Sequence, residues 1–257
     1  MKLLILTIFA ALGFACVLCA DETAEISLTT NEQTAVRQQL QAFDRGEITL
    51  EETTEPGGES GCQKLVAYHL MHTNDVTTKM KLPISRRYGA MGKYQDAVRL
   101  AQEYVGVYSN DWHGWRILGS ANLFMNNFNA ALHAYTNAVR LGDDLSYAAL
   151  GLAALKTDRL DIVSNMVPRL VALKTSKLTS RNQSLQLATD LVIYSLRTNQ
   201  KDLFMKAVEG FDPKEILAHD DVAFLVKQGC EQFKGGETDR LCQKLETAGK
   251  SGVKPPQ

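Results

Sequence analysis

The sequence predicts an all-α chain: antiparallel helix hairpins stacked one on another as a solenoid. Three observations carry that expectation. No stretch sustains the period-2 alternation of a half-buried strand. Apolar and small positions recur at a fixed step, so that Tyr94, Ala97 and Val98 precede Phe128, Ala131 and Leu132 by 34 residues, as Ile84 precedes Leu118 and Met91 precedes Met125. A further copy follows at a step of 32, with Tyr147, Leu150-Gly151 and Leu160 answering Trp115, Leu118-Gly119 and Phe128.

The clearest copy occupies residues 112–143 and contains Trp115-x2-Leu118-Gly119, then Ala131-x3-Tyr135, Ala138 and Leu141. That order resembles the tetratricopeptide repeat (TPR), a helix–turn–helix unit of roughly 34 residues. Asn122 stands where the family has Tyr, and Asp143 or Asp144 where it has Pro. Gly119 and Ala131 are small where two helices must approach, while Trp115, Phe128 and Tyr135 supply apolar bulk. The resemblance implies a right-handed α-solenoid, a TPR-like superhelix. Its packing residues would be Tyr94, Ala97, Trp115, Leu118, Gly119 and Phe128, continued by Ala131, Tyr135, Ala138, Tyr147 and Gly151. It also implies a concave groove lined by the first helix of each unit. Arg86, His113, Arg116, Ser120, Phe124 and Lys156 fall on that face, mixing cationic points with apolar patches suited to an acidic peptide. The family's carboxylate clamp of alternating Lys and Asn is not reproduced.

Taken in order, residues 1–20 read as a secretory signal peptide, with Lys2 before an apolar run and the small Ala20 before polar Asp21-Glu22. An uncleaved anchor or a lipid attached at Cys16 is the minor alternative. Export to the periplasm or outside the cell is the expected address. Residues 21–61 form an acidic N-terminal extension, with Asn31 as the cap of a short helix carrying Val36, Leu40 and Phe43. It reads either as a solvated arm or as one that docks on the repeats or a basic partner, and it ends in a Gly/Pro linker over residues 53–61.

The repeat domain is expected over residues 62–248, with repeats at about 78–111, 112–143 and 144–175. A helix precedes them, turned off at Asn74-Asp75. Pro83 shortens the next helix, since proline suits a first turn and not an interior. Pro168 sits inside the second helix of the third repeat and should kink or split it near Met166. Beyond Lys174, Thr179 or Ser180 caps a helix through Arg197, and Asp212-Pro213-Lys214-Glu215 opens a short one. A last hairpin turns at Gly235-Gly236, and residues 249–257 form a disordered tail.

Of five cysteines, Cys16 and Cys19 belong to the signal segment. Cys230 and Cys242 should face each other across the last hairpin, either as a disulfide or as two small apolar residues in a helix seam. Cys62 is left over. His69 and His72, with Asp75 near them, have a spacing that could hold a metal, but a hydrogen-bonded pair is the simpler reading, and no metal or cofactor is expected. G-x-S-x-G, G-x-G-x-x-G, Walker A and H-E-x-x-H are all missing, so an enzyme is not expected. A formal net charge of −1 gives no basic footprint for nucleic acid. Asn182-Gln183-Ser184 fits a glycosylation acceptor. The functional expectation is a scaffold that binds a protein or peptide partner. The alternative is a structural repeat protein that self-associates through its ends or Cys62.

Overall fold

A computed structural model describes residues 28–50, 53, 59–176 and 180–251, with the backbone alone at 59–62, 182, 250 and 251. The expected signal segment, the centre of the expected Gly/Pro linker, the Cys62 and Asn182 side chains and the end of the expected tail lie outside the described residues. Thirteen α-helices and one 3-10 turn at Thr73–Asp75, with no strand, make up the regular structure of the described residues. They divide into two compact units, residues 28–153 and 154–251.

The first unit starts with α1 (Thr30–Arg45) and α2 (Glu59–Met71). It continues through α3 (Lys81–Ala90), α4 (Tyr94–Val107), α5 (Trp112–Phe124) and α6 (Phe128–Arg140). Successive helices pack side by side, and α3 also touches α5, as first helices of neighbouring hairpins do in a solenoid. α7 (Ser146–Lys156) spans the division between the units. In the second unit α8 (Leu160–Lys174), α9 (Arg181–Thr198) and α10 (Lys201–Val208) again pack in succession. α11 (Pro213–Leu217), α12 (Asp220–Gln232) and α13 (Glu237–Ser251) complete it.

The repeats are written most plainly in the turns. Gly92 (φ 72°), Asn126 (φ 59°) and Asp158 (φ 57°) take the left-handed conformation at one slot of three consecutive hairpins, and Asn199 (φ 54°) takes it in a fourth. Gly and Asn adopt this region at least cost. After each, the next N–H returns to a carbonyl of the preceding helix: Lys93 to Tyr88 (2.9 Å), Asn127 to Asn122 (2.8 Å), Arg159 to Ala154 (2.8 Å) and Gln200 to Ser195 (2.9 Å). The α9–α10 hairpin therefore shares the construction of the three predicted repeats. A link of three residues in the predicted repeats, and of two in α9–α10, forces each second helix back along the first.

Packing follows the predicted small and apolar positions. Ala97, Ala131, Tyr135 and Ala138 are fully buried, and Leu118 and Gly119 are buried beside them. Tyr94, Trp115, Phe128 and Tyr147 are half-buried, and Gly151 is buried. Asn122 is buried too, its amide donating to the Leu118 carbonyl at 2.9 Å, so the family's tyrosine slot is filled by a side chain satisfied within its own helix. Tyr88 holds the equivalent slot one hairpin earlier.

Several expectations are corrected. Of the two readings of the N-terminal segment, residues 28–50 follow the arm that docks on the repeats and not the solvated one, and they are not separable from the repeat domain at residue 62. Val36 and Leu40 of α1 join Leu65, Tyr68, Ile84 and Leu100 in one core, while Phe43 and Leu50 pack with Leu82, Ala101 and Tyr104. Burying side chains of this size stabilises by about 1.5–3 kcal/mol each, which outweighs the acidic character of the segment. Polar ties add to it: Arg37 meets Asp75 at 3.0 Å, and Thr77 donates to Asp44 at 2.8 Å. Thr29, not Asn31, caps α1, forming a reciprocal capping box with Glu32. α2 begins at Glu59, inside the expected linker. α8 runs unsplit through Pro168, because the ring removes only one N–H from the ladder of a helix held by Val163, Met166 and Leu170 in the core. α13 extends through Ser251, so residues 249–251 are helical and not tail.

Candidate functional site

The site grows from the start of α5. Asp111 is its extended N-cap (φ −96°, ψ 111°), and Oδ1 accepts the His113 N–H at 3.0 Å. The same oxygen lies 2.7 Å from His113 Nδ1, and the Tyr104 hydroxyl of α4 donates to Oδ2 at 2.5 Å. Burial pushes the Asp111 carboxyl up, but the bonds from His113 and Tyr104 outweigh it and hold the group below the usual carboxylate range. Tyr104 is raised by burial and by that carboxylate, so it stays a donor. An acceptor fixed on both oxygens thus orients the imidazole.

Trp112 is stacked on His113, ring centroids 3.5 Å apart and planes 21° apart, and the Arg116 guanidinium lies 4.5 Å from the indole centroid. Arg116 is itself only 13% exposed at its side chain and stands 3.6 Å from Asp143, which is 3% exposed and accepts the Ser146 hydroxyl at 2.5 Å. An aromatic, a cation and an oriented imidazole therefore share one corner of the first unit.

The predicted groove residues do not act as one lining. His113 and Arg116 meet at Trp112. Ser120 is fully buried, donating to the Arg116 carbonyl at 2.9 Å and pairing with the Tyr135 hydroxyl at 3.0 Å, so it ties α5 to α6 and is not a groove contact. Arg116 is not a free cation, because Asp143 holds it. Phe124 is half-buried and stacks on Tyr94 at 5.1 Å. Arg86 is half-buried on α3, and Lys156 is exposed in the second unit. Trp112, Asp111 and Tyr104 escaped the sequence reading as site residues, and Asp143 entered it only as a departure from the repeat pattern. Only Asp111 carried a local sign, an Asp directly before a helical run.

Elsewhere, His69 Nδ1 lies 3.0 Å from the Tyr88 hydroxyl, and His72 Nε2 lies 3.2 Å from Gln33. Burial lowers the His69 pKa and raises that of Tyr88 to about 12, which suits a neutral pair. Among the described residues no three His, Cys, Asp or Glu side chains are placed to hold a metal ion, and no helix is long and apolar enough to cross a membrane. A disulfide joins Cys230 of α12 to Cys242 of α13, with the Cα atoms 5.9 Å apart. Lys174, buried at the end of α8, donates to the carbonyls of Lys206, Ala207 and Glu209 and so caps α10.

No protein-family model matches the chain, and no curated protein matches it. Among solved structures it is similar to a thermophilic TPR protein of Thermus thermophilus, with 13% identity and a TM-score of 0.42 over 79% of this chain and 98% of that one. The architecture rests on the hairpins and turns described above.

Proposed function

We propose that the chain is a non-enzymatic scaffold whose TPR-like hairpins bind a peptide or partner protein at the opening of α5. One observation carries this reading: Trp112 is half-buried between His113 and Arg116, each already fixed by a carboxylate. Tryptophan and arginine are enriched where binding energy concentrates, and a preorganised pair loses little side-chain freedom on docking. The partner would lay an apolar or aromatic side chain on the indole and a hydrogen-bond acceptor at His113. Phe124, at the far end of the same helix, stacks on Tyr94 of α4. Export is part of the proposal. It is supported by Lys2 and the apolar run behind it, and by the Cys230–Cys242 bond, which persists in oxidising compartments.

The test is affinity capture from the cell envelope with the parent chain and with Trp112→Ala/Phe124→Ala, at matched helical content. Partners recovered by the parent should be lost from the variant. Equal recovery would place the docking surface elsewhere.

A further inference from the structure

The second unit holds an open cleft of about 880 Å³ between α10, α11 and α13. A shallower one of about 590 Å³ continues it past α11, sharing Pro213, Arg240 and Lys244. The floor is apolar, built from Met205, Val208, Phe211 and Leu241. Lys206 of α10, Lys214 of α11, and Arg240 and Lys244 of α13 stand at the rim, and all four are exposed. Arg240 and Lys244 are one helical turn apart and so share a face.

The charges are sorted by place. Lys201 is committed, donating to the Lys234 and Gly235 carbonyls at 3.2 and 2.8 Å. Asp212 is committed as the cap of α11, accepting the Lys214 N–H at 2.7 Å. Glu215 is held by Arg181, whose Nε and Nη2 donate to its two oxygens at 2.6 Å each. Asp202 and Glu237 lie in the first turns of α10 and α13, beside the Gly235-Gly236 turn. Lys206 and Arg240 stand one helical turn from Asp202 and Glu237 respectively, Glu209 and Asp212 also line the clefts, and none of the four cations makes an ion pair among the described residues.

We infer that this cleft is a second docking site, for an extended acidic peptide segment with an apolar residue beside its carboxylates. The apolar side chain covers Phe211 and Leu241, and the carboxylates reach Lys206, Lys214, Arg240 and Lys244. Charge complementarity sets the orientation, since Asp202 and Glu237 repel an acidic segment at the opposite end. A nucleic acid fits less well. Its phosphates repeat along the whole strand and would meet those two acids, and the floor offers no aromatic platform beyond Phe211. The site is independent of Trp112.

Fluorescence polarisation on the full chain tests it, with a labelled extended Glu/Leu/Pro peptide, its Lys-for-Glu counterpart and a labelled oligothymidylate. The Glu peptide should bind, weaken as salt rises, and lose about ten-fold or more with Lys214→Glu/Arg240→Glu/Lys244→Glu, since three reversed charges exceed the roughly 1.4 kcal/mol that a decade requires. Trp112→Ala should bind it as the parent does, which separates this site from the first. If the reversed variant loses helicity, Arg240→Gln/Lys244→Gln carries the test with about a three-fold loss expected. The inference fails if the Glu peptide does not bind, if the charge variants bind it within about two-fold of the parent, or if oligothymidylate binds more tightly.

Discussion

Gly119 faces Tyr135 so closely that a Cβ added to the glycine would stand 2.9 Å from the ring. Tyr135 is fully buried and its hydroxyl pairs with Ser120, so the ring has nowhere to retreat. Gly119→Ala should therefore destabilise the first unit by about 1–3 kcal/mol through overpacking, although alanine is the better helix former. Chemical denaturation measures it, and an unchanged midpoint would show that α5 and α6 can part without cost.

Arg116 and Trp112 separate stability from recognition. Arg116→Ala removes the cation nearest the buried Asp143 carboxylate and should cost about 2–4 kcal/mol. Asp143→Asn in the same chain should recover part of that loss, because no buried charge is then left uncompensated. Trp112→Ala, at a half-buried position, should change stability far less while removing the partner. Thermal denaturation of the three variants beside partner capture checks both halves.

Asp190 of α9 is fully buried; Gln186 donates to one oxygen at 3.1 Å, and the other has no partner among the described residues. Burial raises its pKa from 3.8 to about 8, with Lys156 opposing. Between those values the folded chain keeps a proton that the unfolded chain has lost, so this group makes stability fall as pH rises from about 4 to about 8. Asp190→Asn should flatten that decline. Melting temperatures at the two ends of the window decide it: parallel pH profiles for parent and variant would sink the assignment.

The Cys230–Cys242 bond closes a loop with a sequence separation of 12. A loop of this size is worth roughly 3 kcal/mol in the unfolded chain's entropy. Reduction should lower the stability of the second unit and leave the first nearly unchanged, as read by hydrogen exchange along the two units. Equal loss in both would contradict this.

What the sequence showed, and what it hid, follow from distance along the chain. The steps of 34 and 32 residues placed the helices of the three repeats, while the left-handed turns at Asn126 and Asp158 emerge only from the backbone. Ser120 was misplaced because spacing puts it on the first-helix face, while its short hydroxyl is drawn to Tyr135 on the neighbouring helix. Arg116 was taken for a free cation because Asp143 reaches it only after α6 has folded back. The α1 stripe of Val36, Leu40 and Phe43 was visible, but three apolar residues in an acidic setting do not announce the surface they cover. Trp112 is masked in the sequence by its neighbour Trp115, which fits the repeat pattern. Lys174 gave no sign at all, since its three acceptors belong to a helix more than thirty residues on.

The docking of α1 has a consequence for growth of the array. A stack of hairpins ends safely only where its last apolar edge is covered. α1 turns Val36, Leu40 and Phe43 inward and leaves Asn31, Thr34, Arg37, Gln38 and Gln41 exposed. Those polar side chains give the exposed face of α1 the character of a capping helix among the described residues.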